Sequence, residues 1–143
     1  LDGKINTLIS RDKKNRQLMT VSEVNGKKAI TNYKTIKVFN IKDIPKISLL
    51  ECELETGRTH QIRVHLKYKG TSLLGDKQYG KKNIKFKKIN NEFFTKLNEL
   101  SGQALHAKTL EFIHPVSKKW MSFSSDLPSS FKKILKLLEN LSS

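Results

Sequence analysis

The hydrophobic period of the chain changes abruptly near its middle, and that change fixes the architecture on either side. Over Lys46–Leu54 apolar and polar residues alternate, with Leu50, Cys52 and Leu54 on one face and Leu49, Glu51 and Glu53 on the other. Alternation of this kind is the pattern of a half-buried strand. Thr56-Gly57-Arg58-Thr59 then turns the chain, and Ile62 and Leu66 follow four apart, the spacing of one helical face. Thr59 is a good N-cap, so a helix is expected over His60–Lys69. Gly70 stands where a C′ glycine closes a helix, and Lys67 and Lys69 lie in the last turn, where cations favour the helix dipole. The turn sets Arg58 at a strand end, where sites are usually built.

The flanking segments read more simply. Residues 1–45 are β-rich: Gln17–Glu23 and Lys28–Phe39 carry spaced apolar and β-branched residues, and Asn25-Gly26 between them predicts a hairpin. Asn40–Lys46, with Pro45, is a connection, and Gly75–Gly80 is a loop. Asn91–Leu100 places Phe93, Phe94, Leu97 and Leu100 at helical spacing. Leu105–Ile113 and Lys119–Ser124 read as strands joined by the turn His114–Lys118. Asp126 and Pro128 announce a last helix, with Asp126 as its cap and Phe131, Ile134, Leu135, Leu138 and Leu141 as its apolar stripe. Strands and helices without βαβ alternation give an α+β fold, a mainly antiparallel mixed sheet with flanking helices.

Composition narrows the function classes. A chain of 143 residues fits one domain. It carries 28 Lys+Arg against 13 Asp+Glu, a formal net charge of +15, which points to a polyanionic partner. Its lone cysteine, Cys52, excludes an internal disulfide framework, fits a reducing compartment and alternates with leucines as a buried small hydrophobe would. No apolar run reaches the ~18–20 residues of a membrane-spanning helix. Residue 1 is Leu rather than Met, so the chain is expected to be a fragment or a processed piece.

Arg58 is the residue best placed for chemistry, because a guanidinium can fork a carboxylate or a phosphate with two parallel hydrogen bonds. Arg63 and Lys67 fall on a different helical face from Ile62 and could reach phosphates, or simply be solvated. His60 and His65 are five apart, about 140° round a helix, which does not suit a shared metal ion. His106 and His114 have no carboxylate at ligand spacing, so structural hydrogen bonding is expected of all four histidines. No phosphate-binding glycine motif occurs. Lys81–Lys88 is a basic run with Phe86 in it, either a solvated insert or a strip of phosphate contacts.

The run Leu54–His65, L-E-T-G-R-T-H-Q-I-R-V-H, resembles the third sequence motif of the RluA-type pseudouridine synthases. The resemblance continues in order through most of the chain. Gly26–Thr31 is similar to the family's G-K-x-A-x-T strand, Gly75-Asp76 with Tyr79-Gly80 to its G-D-x-x-Y-G, and Gln103–Ala107 with His114-Pro115 to its Q-A-L-H-A…H-P. The G-D-x-x-Y-G and Q-A-L-H-A variants are closest to the RluD-like branch.

That resemblance implies isomerisation of uridine to pseudouridine in structured RNA, most often large-subunit (23S-type) rRNA, in the cytoplasm and without cofactor or metal. The family's catalytic aspartate lies in an H-R-L-D motif, which this sequence does not contain. The expectation is therefore the C-terminal half of a pseudouridine-synthase-like catalytic domain, inactive alone, with the aspartate motif upstream. By resemblance Arg58 pairs with that aspartate and Ile62 packs against the target base; Arg63 and Lys67, from their helical face, and His60 are the further candidates for binding substrate. Asp76 shapes a loop and is not a substitute nucleophile. A sheet deprived of half its strands would leave an unpaired edge and a route to self-association. The alternative is a basic RNA-binding module that keeps the fold without the reaction.

Overall fold

The computed structural model describes residues 2–80, 87 and 90–142. Four strands, β1 (Gly3–Arg11), β2 (Met19–Ser22), β3 (Lys27–Phe39) and β4 (Ile47–Leu54), form one sheet in the order β2-β1-β3-β4. Helix α1 (Gln61–Tyr68) follows, then α2 (Asn91–Asn98), a hairpin of β5 (Thr109–Ile113) and β6 (Trp120–Ser124), and α3 (Ser129–Leu141). The architecture is α+β, and every strand pairing among the described residues is antiparallel.

The hairpin expected around Asn25-Gly26 does not form. β1 lies between β2 and β3, pairing Ile9 with Val21 on one side and with Lys27 on the other. Residues 23–26 carry the chain from one side of β1 to the other, and Gly26 makes that passage with φ +138°; a Cβ there would sit 2.7 Å from the Ile9 carbonyl oxygen. A turn glycine and a crossing glycine have the same sequence signature, which is why local pattern chose wrongly.

α1 packs against the first three strands, where Val64 meets Ile9, Ala29 and Tyr79. Its C-terminus closes as expected. Gly70 (φ +81°) donates to the Lys67 carbonyl and Thr71 to that of Leu66, the paired bonds of a Schellman cap. A second core lies at the far end of β3, where Phe39 and Ile41 meet Phe93, Leu97 and Leu100 around α2, and Ile134 and Leu138 of α3. Each such side chain contributes about 1.5–3 kcal/mol on full burial. The N-terminus of α2 is capped by Asn90, whose side chain accepts from the Phe93 N–H. Pro128, and not Asp126, occupies the N-cap position of α3, so the expected Asp126 cap is replaced by the fixed proline backbone. Cys52 is only half-buried, because β4 is an edge of its sheet. The basic run Lys81–Lys88 lies outside the described residues except for Lys87, which is exposed.

Candidate active-site cleft

The turn between β4 and α1 is built by one buried side chain. Gln61, 3% exposed, accepts on Oε1 from the Thr56 hydroxyl and the Arg58 backbone N–H, at 2.8 and 2.9 Å. Its Nε2 donates to the Ile30 carbonyl and the Thr31 hydroxyl, at 2.9 and 3.0 Å. The Thr56 hydroxyl also accepts from the Ile30 N–H, so turn and β3 are stitched together at the same point. A buried amide with its donors and acceptors engaged is rigid. Sequence reasoning passed over Gln61; the signal available was a polar residue on the apolar side of a helical pattern.

Arg58 is half-buried on this platform. Its Nε–H donates to the Lys28 carbonyl at 2.9 Å, and its own carbonyl accepts from the Gln61 N–H. Backbone and side-chain stem are both anchored, while the guanidinium has no ion-pair partner among the described residues. It borders a cleft of about 400 Å³ lined by Ile9, Ser10, Arg11, Met19, Gly26, Lys27, Gly57 and Thr59. Three of the lining residues, Arg11, Lys27 and Arg58, are cationic and none is a carboxylate.

Thr59 does not cap α1. His60 holds the N-cap position with φ 55° and ψ 21°, a left-handed conformation uncommon for a side-chain-bearing residue, and no side chain caps the helix. Tyr79 braces this turn. Its hydroxyl accepts from the Met19 N–H and shares a hydrogen bond with His60 Nδ1, both at 2.8 Å, the direction of the second following the imidazole tautomer. Burial pulls the His60 pKa below its usual value, and the Arg63 charge lowers it further.

Arg63 departs from expectation. It is 8% exposed and forks Asp76 through Nε and Nη2, both at 2.8 Å, with a further bond to Gln78. Its guanidinium lies 4.7 Å from the centre of the Tyr79 ring. The structure thus spends the Arg63 charge on an internal ion pair, where phosphate contact or solvation was expected. Burial raises the Asp76 pKa, and the Arg63 fork with the N–H groups of Tyr79 and Gln78 overcomes that, leaving it below the ordinary carboxylate range. Asp76 Oδ1 accepts from both of those N–H groups, so it shapes the loop. Lys67 stays exposed, with Nζ 5.6 Å from the Tyr79 ring centre. Ile62 is half-buried. His65, fully buried, bonds Thr31 through Nδ1 and Thr7 through Nε2, and burial lowers its pKa. His106 donates to the Ser125 carbonyl, and His114 accepts from the N–H groups of Val116 and Ser117. All four histidines are thus hydrogen-bonded, and the described residues hold no cluster of ligating side chains suited to a metal ion.

Comparison with known proteins places these motifs. The family model described as RNA pseudouridylate synthase matches residues 1–68, which include the whole Arg58 turn. A Bacillus subtilis protein named as an uncharacterized RNA pseudouridine synthase is 42% identical over 140 residues, covering 98% of this chain and 39% of that protein. Ribosomal large subunit pseudouridine synthase D of Zymomonas mobilis is 41% identical over 139 residues, covering 96% of this chain and 41% of its own length. The chain belongs to the RluA-type pseudouridine synthase family.

It spans about two-fifths of the length of these relatives. The pseudouridine-synthase fold extends over almost all of it. The solved structure of human RNA pseudouridylate synthase domain containing 1 superposes with a TM-score of 0.66 at 19% identity, covering 96% of this chain and 59% of that one. No helix among the described residues is long and apolar enough to cross a membrane.

Proposed function

We propose that residues 1–143 are the C-terminal portion of one pseudouridine synthase catalytic domain and that Arg58 is their catalytic contribution. The observation that carries this reading is the tethering of Arg58: Nε is fixed on the Lys28 carbonyl while the guanidinium borders a cationic cleft without a carboxylate of its own. A preformed cation costs little to reorganise, and it holds an opposing aspartate ionised and aimed. That aspartate belongs to a part of the full-length protein outside these residues, and the two-fifths of its relatives that the chain spans leaves room for it.

In the reaction the N1–C1′ bond of a flipped uridine breaks and a C5–C1′ bond forms. The C5 hydrogen leaves as a proton, and N1 takes one up, so the product is an isomer. Ile62 packs against the base. Lys67 contacts a phosphate, and His60, braced through Nδ1 by Tyr79, contacts the RNA. Arg63 serves binding only indirectly, by fixing the Asp76 loop under the Tyr79 ring. No cofactor or metal is required. The substrate is large-subunit rRNA of the 23S type, modified in the cytoplasm; relatives from Zymomonas mobilis and Buchnera aphidicola named ribosomal large subunit pseudouridine synthase D, and the RluD-like motif variants, support this.

The test is release of tritium from [5-³H]uridine-labelled rRNA by this chain and by the full-length gene product. Turnover by the full-length protein alone is expected; release by the chain alone would require a nucleophile among its own residues and would overturn the assignment.

A further inference from the structure

Beside the cleft, the β1–β2 connection is a stiff loop that displays unpaired positive charge. Asp12 Oδ1 accepts from the N–H groups of Lys14 and Asn15 at 2.8 and 2.9 Å, and Asn15 Oδ1 accepts from the Gln17 N–H at 3.1 Å. Across its base Asp12 N–H bonds the Leu18 carbonyl and Leu18 N–H the Asn15 carbonyl, each at 2.9 Å. Arg11 Nη1 donates to the Arg16 carbonyl at 2.8 Å. The two backbone bonds at Asp12 Oδ1 hold its carboxyl below the usual range, with Lys14 and Lys67 adding to the effect.

None of these bonds uses the side-chain charges of Lys13, Lys14 or Arg16, which are exposed and make no ion pair among the described residues. The loop is continuous with the Arg58 site, since Ser10, Arg11 and Met19 at its two stems line the cleft.

We propose that Lys13, Lys14 and Arg16 form a preorganised clamp for the phosphodiester backbone of structured RNA beside the Arg58 cleft, holding RNA by position and not by base identity. The proposal rests on the pseudouridine synthase reading and adds to it the loop that grips the substrate strand. Three features favour a clamp over a merely solvated loop. The cations are unspent, the backbone carrying them is already ordered so that binding orders little more, and they adjoin the cleft.

The experiment is fluorescence anisotropy of the 143-residue chain with a fluorescein-labelled RNA hairpin over a salt series. Replacing Lys13, Lys14 and Arg16 together by Gln is expected to weaken binding at least about tenfold and to flatten the log K against log [salt] slope by about two. The matched triple Lys132→Gln, Lys133→Gln, Lys136→Gln on α3 removes the same charge from exposed positions and is expected to change affinity by less than about threefold, an additive effect of net charge only. Asp12→Ala keeps every cation and releases the loop; weaker binding is expected although the chain becomes more positive. Equal losses from both triples, or tighter binding by Asp12→Ala, would overturn the clamp while leaving RNA binding intact. Absence of salt-dependent RNA binding by the unmodified chain would overturn the RNA reading and the clamp with it. Circular dichroism of each variant confirms the comparison is between folded proteins.

Discussion

At the scale of single residues, the cleft depends on groups whose charge state is set by burial. His60 and His65 are both held neutral, and their folded pKa values lie below the ordinary 6.5. On acidification the unfolded chain therefore takes up these protons first. Stability is complete above about pH 6.5 and declines as pH falls from there toward the folded values. Asp76, held below the ordinary 3.8, adds a second loss as pH falls through and below that value. Thermal unfolding should accordingly show a lower midpoint at about pH 5.5 than at about pH 7.5; an equal or higher midpoint at the acid pH would contradict the burial of the two rings as neutral groups. Arg58 was legible from the sequence because its motif is long and nearly uninterrupted. Arg63 was not: helical spacing gives the direction of a side chain and says nothing about an aspartate 13 residues further on that folds back to meet it. Gln61 was missed for the same reason, since its partners lie 30 and 31 residues away on β3.

Among the elements, the local signals were read well wherever an element is defined by its own residues. β4, α1, α2, the β5–β6 hairpin and α3 all stand close to their expected positions. The caps expected at Thr59 and Asp126 fall elsewhere, and β1 was covered only by the β-rich reading of residues 1–45. Topology failed where it is decided by non-local pairing. β2 and β3 both exist, yet β1 separates them. Gly26 is the physical record of that crossing, so Gly26→Ala should destabilise the chain by more than about 1 kcal/mol, through both the disfavoured φ and the contact with Ile9. Gly102→Ala, where an added Cβ meets nothing within 4 Å, should stay within about 0.5 kcal/mol. Urea unfolding of the two variants checks the strained backbone at residue 26 and its close approach to Ile9.

For the whole molecule, two surfaces matter besides the cleft. Among the described residues β2 and β4 are sheet edges, and the β5–β6 hairpin turns Leu110, Phe112, Met121 and Phe123 to one side, with Leu110 62% and Phe123 50% exposed. Phe112 and Phe123 stack there with ring centroids 6.0 Å apart. Open edges and a contiguous apolar face drive association, whereas a charge of +15 opposes it at low salt. Sedimentation velocity of the isolated chain should therefore show mass rising with concentration, more strongly at high salt, and Phe123→Lys should reduce it. A strictly monomeric chain under all these conditions would mean the exposed face is inert. Fold class was readable because the α+β pattern and the family motifs agree along the chain, whereas the arrangement of these surfaces follows from sheet order, which no single segment encodes.

The proposed role of Arg58 is for its guanidinium to act on the reaction itself and not merely on RNA affinity. Single-turnover tritium release by the full-length protein carrying Arg58→Ala or Arg58→Lys, beside its RNA binding, separates the two. The rate should fall at least about a hundredfold in both variants while RNA affinity changes less than about threefold, since lysine cannot both hold the Lys28 carbonyl and fork a carboxylate. A rate that survives in Arg58→Ala, or a loss confined to binding, would contradict it.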